Sequence, residues 1–146
     1  MNSRRRRQVL DAATTLLIAG EQIEFTGLAK VGTVSVKRQV LTSALVGVLS
    51  AGTVIATVQP RPMYLALTDR RLLFLDGATT SGKPGKPLMS LERGLLAAAP
   101  LTKALLGLGL KTVITVQGET DGLKLVFPPA FKADGRELVT RLPVGA

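Results

Sequence analysis

The side chains that most often carry chemistry are scarce in this chain. It contains no Cys and no His. That removes disulfide and thiolate chemistry, Ser-His and Cys-His nucleophiles, and the imidazole that commonly binds metals or moves protons near neutral pH. The 10 Asp and Glu residues are scattered along the chain rather than gathered into a motif that pairs carboxylates for acid–base work. Glu119 and Asp121 lie close together, but in a turn between Gly118 and Gly122, where acidic residues are ordinary. The expectation is therefore a binding protein rather than an enzyme, with no catalytic residue, metal site, cofactor or small-molecule substrate.

The chemistry that is present is cationic. The net charge is +9, which favours phosphate-rich partners. Its densest source is the run Arg4, Arg5, Arg6 and Arg7, read as a basic arm ahead of a short helix. Each arginine close to an anionic cytoplasmic leaflet contributes about 1 kcal/mol. Lys37, Arg38 and Arg61 bracket an apolar stretch, and Lys83 and Lys86 sit in a Gly/Pro-rich loop; together with the arm they are the candidate anionic-lipid or phosphate-binding groups. Nucleic acid ranks below a lipid or protein surface, because single-strand binders stack bases on aromatic rings. The chain has four Phe, one Tyr and no Trp, and shows no groove-reading helix or finger. The expected location is cytoplasmic, peripheral at the inner membrane face. Asp11 interrupts the apolar stretch after the arginines, too early for a secretory or twin-arginine export signal.

These groups must be positioned by short elements. Residues 8–19 carry Val9, Ala12, Ala13, Leu16 and Leu17 at helical spacing, with Gly20 as a C-cap. Gln22–Leu28 alternates as a strand, and Val31–Val36 repeats the pattern with Val34 and Val36 on one side. Met63–Leu67 and Arg71–Leu75 read as a hairpin about Asp69-Arg70. Strands are expected at Leu88–Glu92, Leu95–Ala99, Lys111–Gln117 and Leu123–Phe127, with 100–110 ambiguous between helix and loop. A C-terminal amphipathic helix carries Phe131, Leu138, Val139 and Leu142. The chain reads as an arm and helix over 1–20 followed by a single domain over 21–146, without a linker or internal repeat.

Residues 40–58 are uncharged and long enough to be weighed as a membrane span. Their strong apolar residues favour insertion by roughly 3–5 kcal/mol, offset by Thr42, Ser43, Ser50, Thr53, Thr57 and two glycines. Leu41, Leu45, Val48 and Leu49 share a helical face and are the membrane-insertion candidates, while Gly52–Val58 is β-branched and strand-like. A helix or loop feeding a buried strand, a spanning or re-entrant segment, and a peripheral amphipathic insertion all remain open.

The order of about seven short strands and a C-terminal helix resembles a bacterial PH-like (GRAM-like) domain. The resemblance rests on the hairpin Tyr64-Leu65-Ala66-Leu67-Thr68-Asp69-Arg70-Arg71-Leu72-Leu73-Phe74 and on the strand–turn–strand–helix ending around Thr120-Asp121-Gly122 and Ala133–Val139. It covers 60–142 well and the earlier part weakly. It implies a mainly β (α+β) fold, a curved antiparallel sheet or barrel plugged by the helix, with 40–58 inserted into it. It also implies a module for anionic membrane surfaces or for partner proteins, with self-association through a sheet edge as a further mode. The nearest matches to a phosphoinositide site are Lys30, Lys37 and Arg38, without a Lys-x-Arg signature. A membrane-anchored assembly protein and a nucleic-acid-associated basic protein are the alternatives.

Overall fold

The longest element is a strand whose two halves have different neighbours. In the computed structural model of the chain, which describes residues 1–35 and 59–145, β1 runs over Ile23–Ser35. Its first half pairs antiparallel with β2 (Arg61–Thr68), from Ile23 opposite Thr68 to Val31 opposite Arg61. Its second half pairs with β8 (Asp121–Phe127), from Lys30 opposite Val126 to Ser35 opposite Asp121. Among the described residues, only Lys30 and Val31 of β1 have a paired strand on both sides. The two alternating runs of the sequence are thus one strand as far as Ser35, with Val36 outside the described residues, and its inward face is Phe25, Gly27, Ala29 and Val31. Val34, expected on the apolar side, is on the outer face, because the phase set by Phe25 continues through Val31.

From β2 the chain turns into β3 (Arg71–Asp76) and then β4 (Pro87–Glu92). β5 (Leu96–Ala98) and β6 (Thr102–Ala104) both pair with one edge of β7 (Gly109–Val116). Among the described residues the result is an antiparallel sheet of eight strands in the order β4-β3-β2-β1-β8-β7-β5, with β6 beside β5 on β7, and these strands do not close into a barrel. Among the described residues the α-helices are α1 (Ser3–Thr14) and α2 (Lys132–Thr140).

The main core lies on one face of the sheet. Leu65, Leu72, Phe74, Ile114, Leu123, Leu125 and Phe127 meet there with Leu138 and Leu142 from α2 and its exit. The opposite face of β2 and β3 is covered by α1: Val9 packs with Tyr64 and Leu75, and Ala13 with Ala66 and Leu73. Burial on both faces explains why these two strands read as unbroken apolar runs instead of alternating.

Helix α1 begins earlier than the apolar periodicity alone suggests. The Asn2 carboxamide accepts from the Arg5 N–H at 2.8 Å and caps the helix at Ser3, so the four arginines are inside it and do not form an arm ahead of it. The helix also stops earlier, at Thr14, where Thr14 and Thr15 hydroxyls bond back to the carbonyls of Leu10 and Ala12. Gly20, at φ +84°, makes the turn into β1 instead of capping the helix.

The insertion at 40–58, with Leu41, Leu45, Val48 and Leu49, lies outside the described residues, as do Lys37 and Arg38. Among the described residues no helix is long and apolar enough to cross a membrane.

Candidate functional site

The most specific motif of the sequence, Thr68-Asp69-Arg70-Arg71, is a structural lock. Glu21, just before β1, has a fully buried carboxylate. It accepts from Arg71 at 2.9 and 3.0 Å, from the Thr68 hydroxyl at 2.6 Å and from the Ile18 N–H at 3.1 Å. Arg71 also donates to the Leu16 carbonyl, and the Asp69 carboxylate accepts from the Gln22 N–H at 2.9 Å. The Arg71 hydrogen bonds outweigh burial and hold the Glu21 carboxyl down at about 2, against an ordinary 4.5. Glu21, Thr68 and Arg71 are engaged with one another within the fold, tying the α1–β1 connection to the β2–β3 hairpin. Glu24, three residues on, faces elsewhere and pairs with Arg93 at 2.7 Å and Arg141 at 3.6 Å.

The basic residues separate by helical geometry. Arg6 turns inward, donating to the Thr26 hydroxyl at 3.0 Å and lying 3.8 Å from the buried Asp134 carboxylate on α2. Burial pushes the Asp134 carboxyl above its ordinary value against the pull of the chain N-terminus and Arg6, and among the described residues its Oδ2 has no hydrogen-bond partner. Arg61 is bound at 2.8 Å to Asp76, whose carboxyl is held below the usual range by the Ala78 N–H and by Arg61. Arg6 and Arg61 are therefore structural cations. Arg7 and Lys86 are exposed and do not line the cleft formed by the other cations of α1 and the β3–β4 loop.

Arg4, Arg5 and Lys83 do come together. They line a surface cleft of about 290 Å³ with Asn2, Gln8 and Ser81, and no carboxylate faces it. Arg5 is steadied by a 2.7 Å bond to the Gln8 carboxamide. Lys83 is presented by the β3–β4 loop, which is bonded down rather than loose. The Tyr64 hydroxyl donates to the Gly82 carbonyl at 2.6 Å, the Thr79 hydroxyl donates to the Lys83 carbonyl at 2.6 Å, and the Gly85 N–H donates to the Asp76 carbonyl at 2.7 Å. Gly82 adopts φ +75°, a conformation that favours glycine, and a Cβ there would stand 3.2 Å from the Arg5 guanidinium, so the loop passes close to α1. Arginines in the first turn, with no acidic residue to balance them, oppose the positive end of the helix dipole. Each such charge costs about 0.3–1 kcal/mol, and an anion in the cleft relieves it.

A second surface was not singled out by sequence patterning. Residues 100–110 form β6 and a short left-handed turn, with Leu105 at φ +53°, Leu106 at φ +57° and Gly107 at φ +89°. Two leucines in this region cost about 1–2 kcal/mol each. Leu105, Leu106 and Leu108 are each more than half exposed. The available signal was the Leu-Leu-Gly-Leu-Gly-Leu run between Lys103 and Lys111, in which helix-spaced leucines are interrupted by Gly107 and Gly109.

Comparison with known protein families and with curated proteins yields no match.

Proposed function

We propose that this chain is a non-catalytic module that docks on an anionic lipid surface through the Arg4–Arg5–Lys83 cleft. The observation carrying the reading is that three cations from two separate elements converge on a cleft without a carboxylate. A cleft of this kind suits a phosphate-bearing headgroup, which guanidinium and ammonium groups bind by charge-assisted hydrogen bonds. The inventory of side chains, without His or Cys and with the buried carboxylates of Glu21 and Asp134 set against Arg71 and Arg6, favours binding over catalysis. An open antiparallel sheet with a C-terminal helix against its core supports reading the fold as PH-like. The absence of any aromatic side chain from the cleft favours a lipid surface over single-stranded nucleic acid.

The test is vesicle co-sedimentation of the full chain across a salt series, comparing the wild type with Arg4→Ala/Arg5→Ala/Lys83→Ala. Arg7→Ala/Lys86→Ala/Arg136→Ala, which removes the same number of exposed cations outside the cleft, serves as the charge-matched control. The cleft variant should bind phosphatidylserine-containing vesicles more weakly and with a shallower salt dependence than the control. Equal loss in both variants would reduce the site to bulk charge, and unchanged binding in the cleft variant would sink the reading. Arg6 must stay intact in any such variant, because it holds α1 against Asp134 and Thr26.

A further inference from the structure

We propose that the β6–β7 turn is a bilayer-inserting tip, in which Leu105, Leu106 and Leu108 enter the interfacial layer of an anionic membrane while Lys30, Lys111 and Lys124 stay at headgroup depth. The inference rests on the reading that the chain works at a lipid surface, and it adds a second, apolar contact to the basic cleft.

Three observations carry it. First, Leu106 is fully solvent-exposed and its two neighbouring leucines are more than half exposed. A turn with consecutive left-handed residues would ordinarily use Gly, Asn or Asp, so leucine at Leu105 and Leu106 serves neither the turn nor the core. Second, the leucines stand beside lysines. Lys30 on β1 and Lys124 on β8 line one groove of about 240 Å³ with Leu105 and Val126. Register places Lys111 of β7 opposite Val126, on that same outer face. None of the three lysines forms an ion pair among the described residues. Exposed apolar side chains ringed by unpaired cations match an anionic bilayer, which offers hydrocarbon below and phosphate above. Third, the surface adjoins the cleft-bearing helix. Leu28, two residues before Lys30 on the same outward face of β1, belongs to the small apolar cluster under α1 that includes Met1.

The chain has no Trp, so Leu106→Trp in the full-length protein gives a reporter without background, at a position whose side chain touches nothing that folding needs. With phosphatidylserine–phosphatidylcholine vesicles the Trp emission should shift to the blue and be quenched by lipids brominated on their acyl chains, and pure phosphatidylcholine should produce neither change. Leu106→Asp should weaken partitioning to the anionic vesicles by about tenfold, the loss expected for one leucine withdrawn from an apolar layer. Co-sedimentation with emission that stays water-like would overturn the inserting tip and leave the basic cleft standing. Absence of co-sedimentation would overturn both. A blue shift without vesicles that grows with protein concentration would assign the leucines to contact with a second copy of the chain and also overturn the proposal.

Discussion

Replacing Glu21 with Gln tests whether the hairpin motif is a lock or a binding site. The Glu21 carboxyl is held at about 2 against an ordinary 4.5, and each pH unit of such a difference corresponds to about 1.4 kcal/mol. The ionised carboxylate therefore stabilises the fold by about 3 kcal/mol at neutral pH, in line with the cost of removing one partner of a buried pair. Because the folded value is depressed, the unfolded chain takes up the proton first as the solution is acidified. The stabilisation is fully present above about pH 4.5 and is lost as pH falls towards 2. Urea unfolding of wild type and Glu21→Gln at pH 7, 5, 4 and 3 should show a difference of about 3 kcal/mol at the first two values, shrinking steadily at the others. Near pH 2 a protonated Glu and a Gln are nearly isosteric, so the curves should converge. A difference below about 1 kcal/mol at pH 7, or one that stays constant down to pH 3, would refute the lock.

Other perturbations separate the fold from the site. Tyr64→Phe removes the hydroxyl bonded to the Gly82 carbonyl. Stability should fall by about 1 kcal/mol in chemical denaturation, and vesicle binding should weaken because the loop carrying Lys83 loses its anchor. Gly135→Ala places a Cβ 2.8 Å from the Phe127 ring. The gain of up to about 1 kcal/mol in helix propensity is outweighed by about 1–3 kcal/mol of overpacking, so the melting temperature should drop. Asp134→Asn removes a carboxyl whose pKa burial raises. A raised folded value means that the native state holds the proton longer, so the wild type loses stability as pH climbs from 3.8 through that value. The variant should lack this component of the loss, and a wild-type-like pH profile in Asp134→Asn would contradict it.

What the sequence determined by itself was whatever depends on near neighbours. The hairpin about Asp69-Arg70, the strand pairs at the C-terminal end and the final helix were legible, because turn residues and period-2 or helical spacing encode them within a few positions. The scarcity of catalytic side chains was legible from composition alone. Tertiary structure decided what those elements meant for the charged groups. The arginine run reads as a uniform arm along the chain, yet α1 rotates about 100° per residue, which sends Arg6 to Asp134 and leaves Arg4 and Arg5 facing the loop of Lys83. Glu21 gives no local sign of its role, because its partners Thr68 and Arg71 are distant in sequence and meet it only when β1 pairs with β2. The leucine turn is the converse case. Apolar residues at mixed spacing suggest burial, and only the pairing of β6 with β7, which carries Leu106 beyond the edge of the sheet, leaves them in solvent. Which cations pair and which stay free is a long-range outcome, because ion pairs are settled by distances that packing sets, whereas turns and periodicities are settled by the backbone beside them.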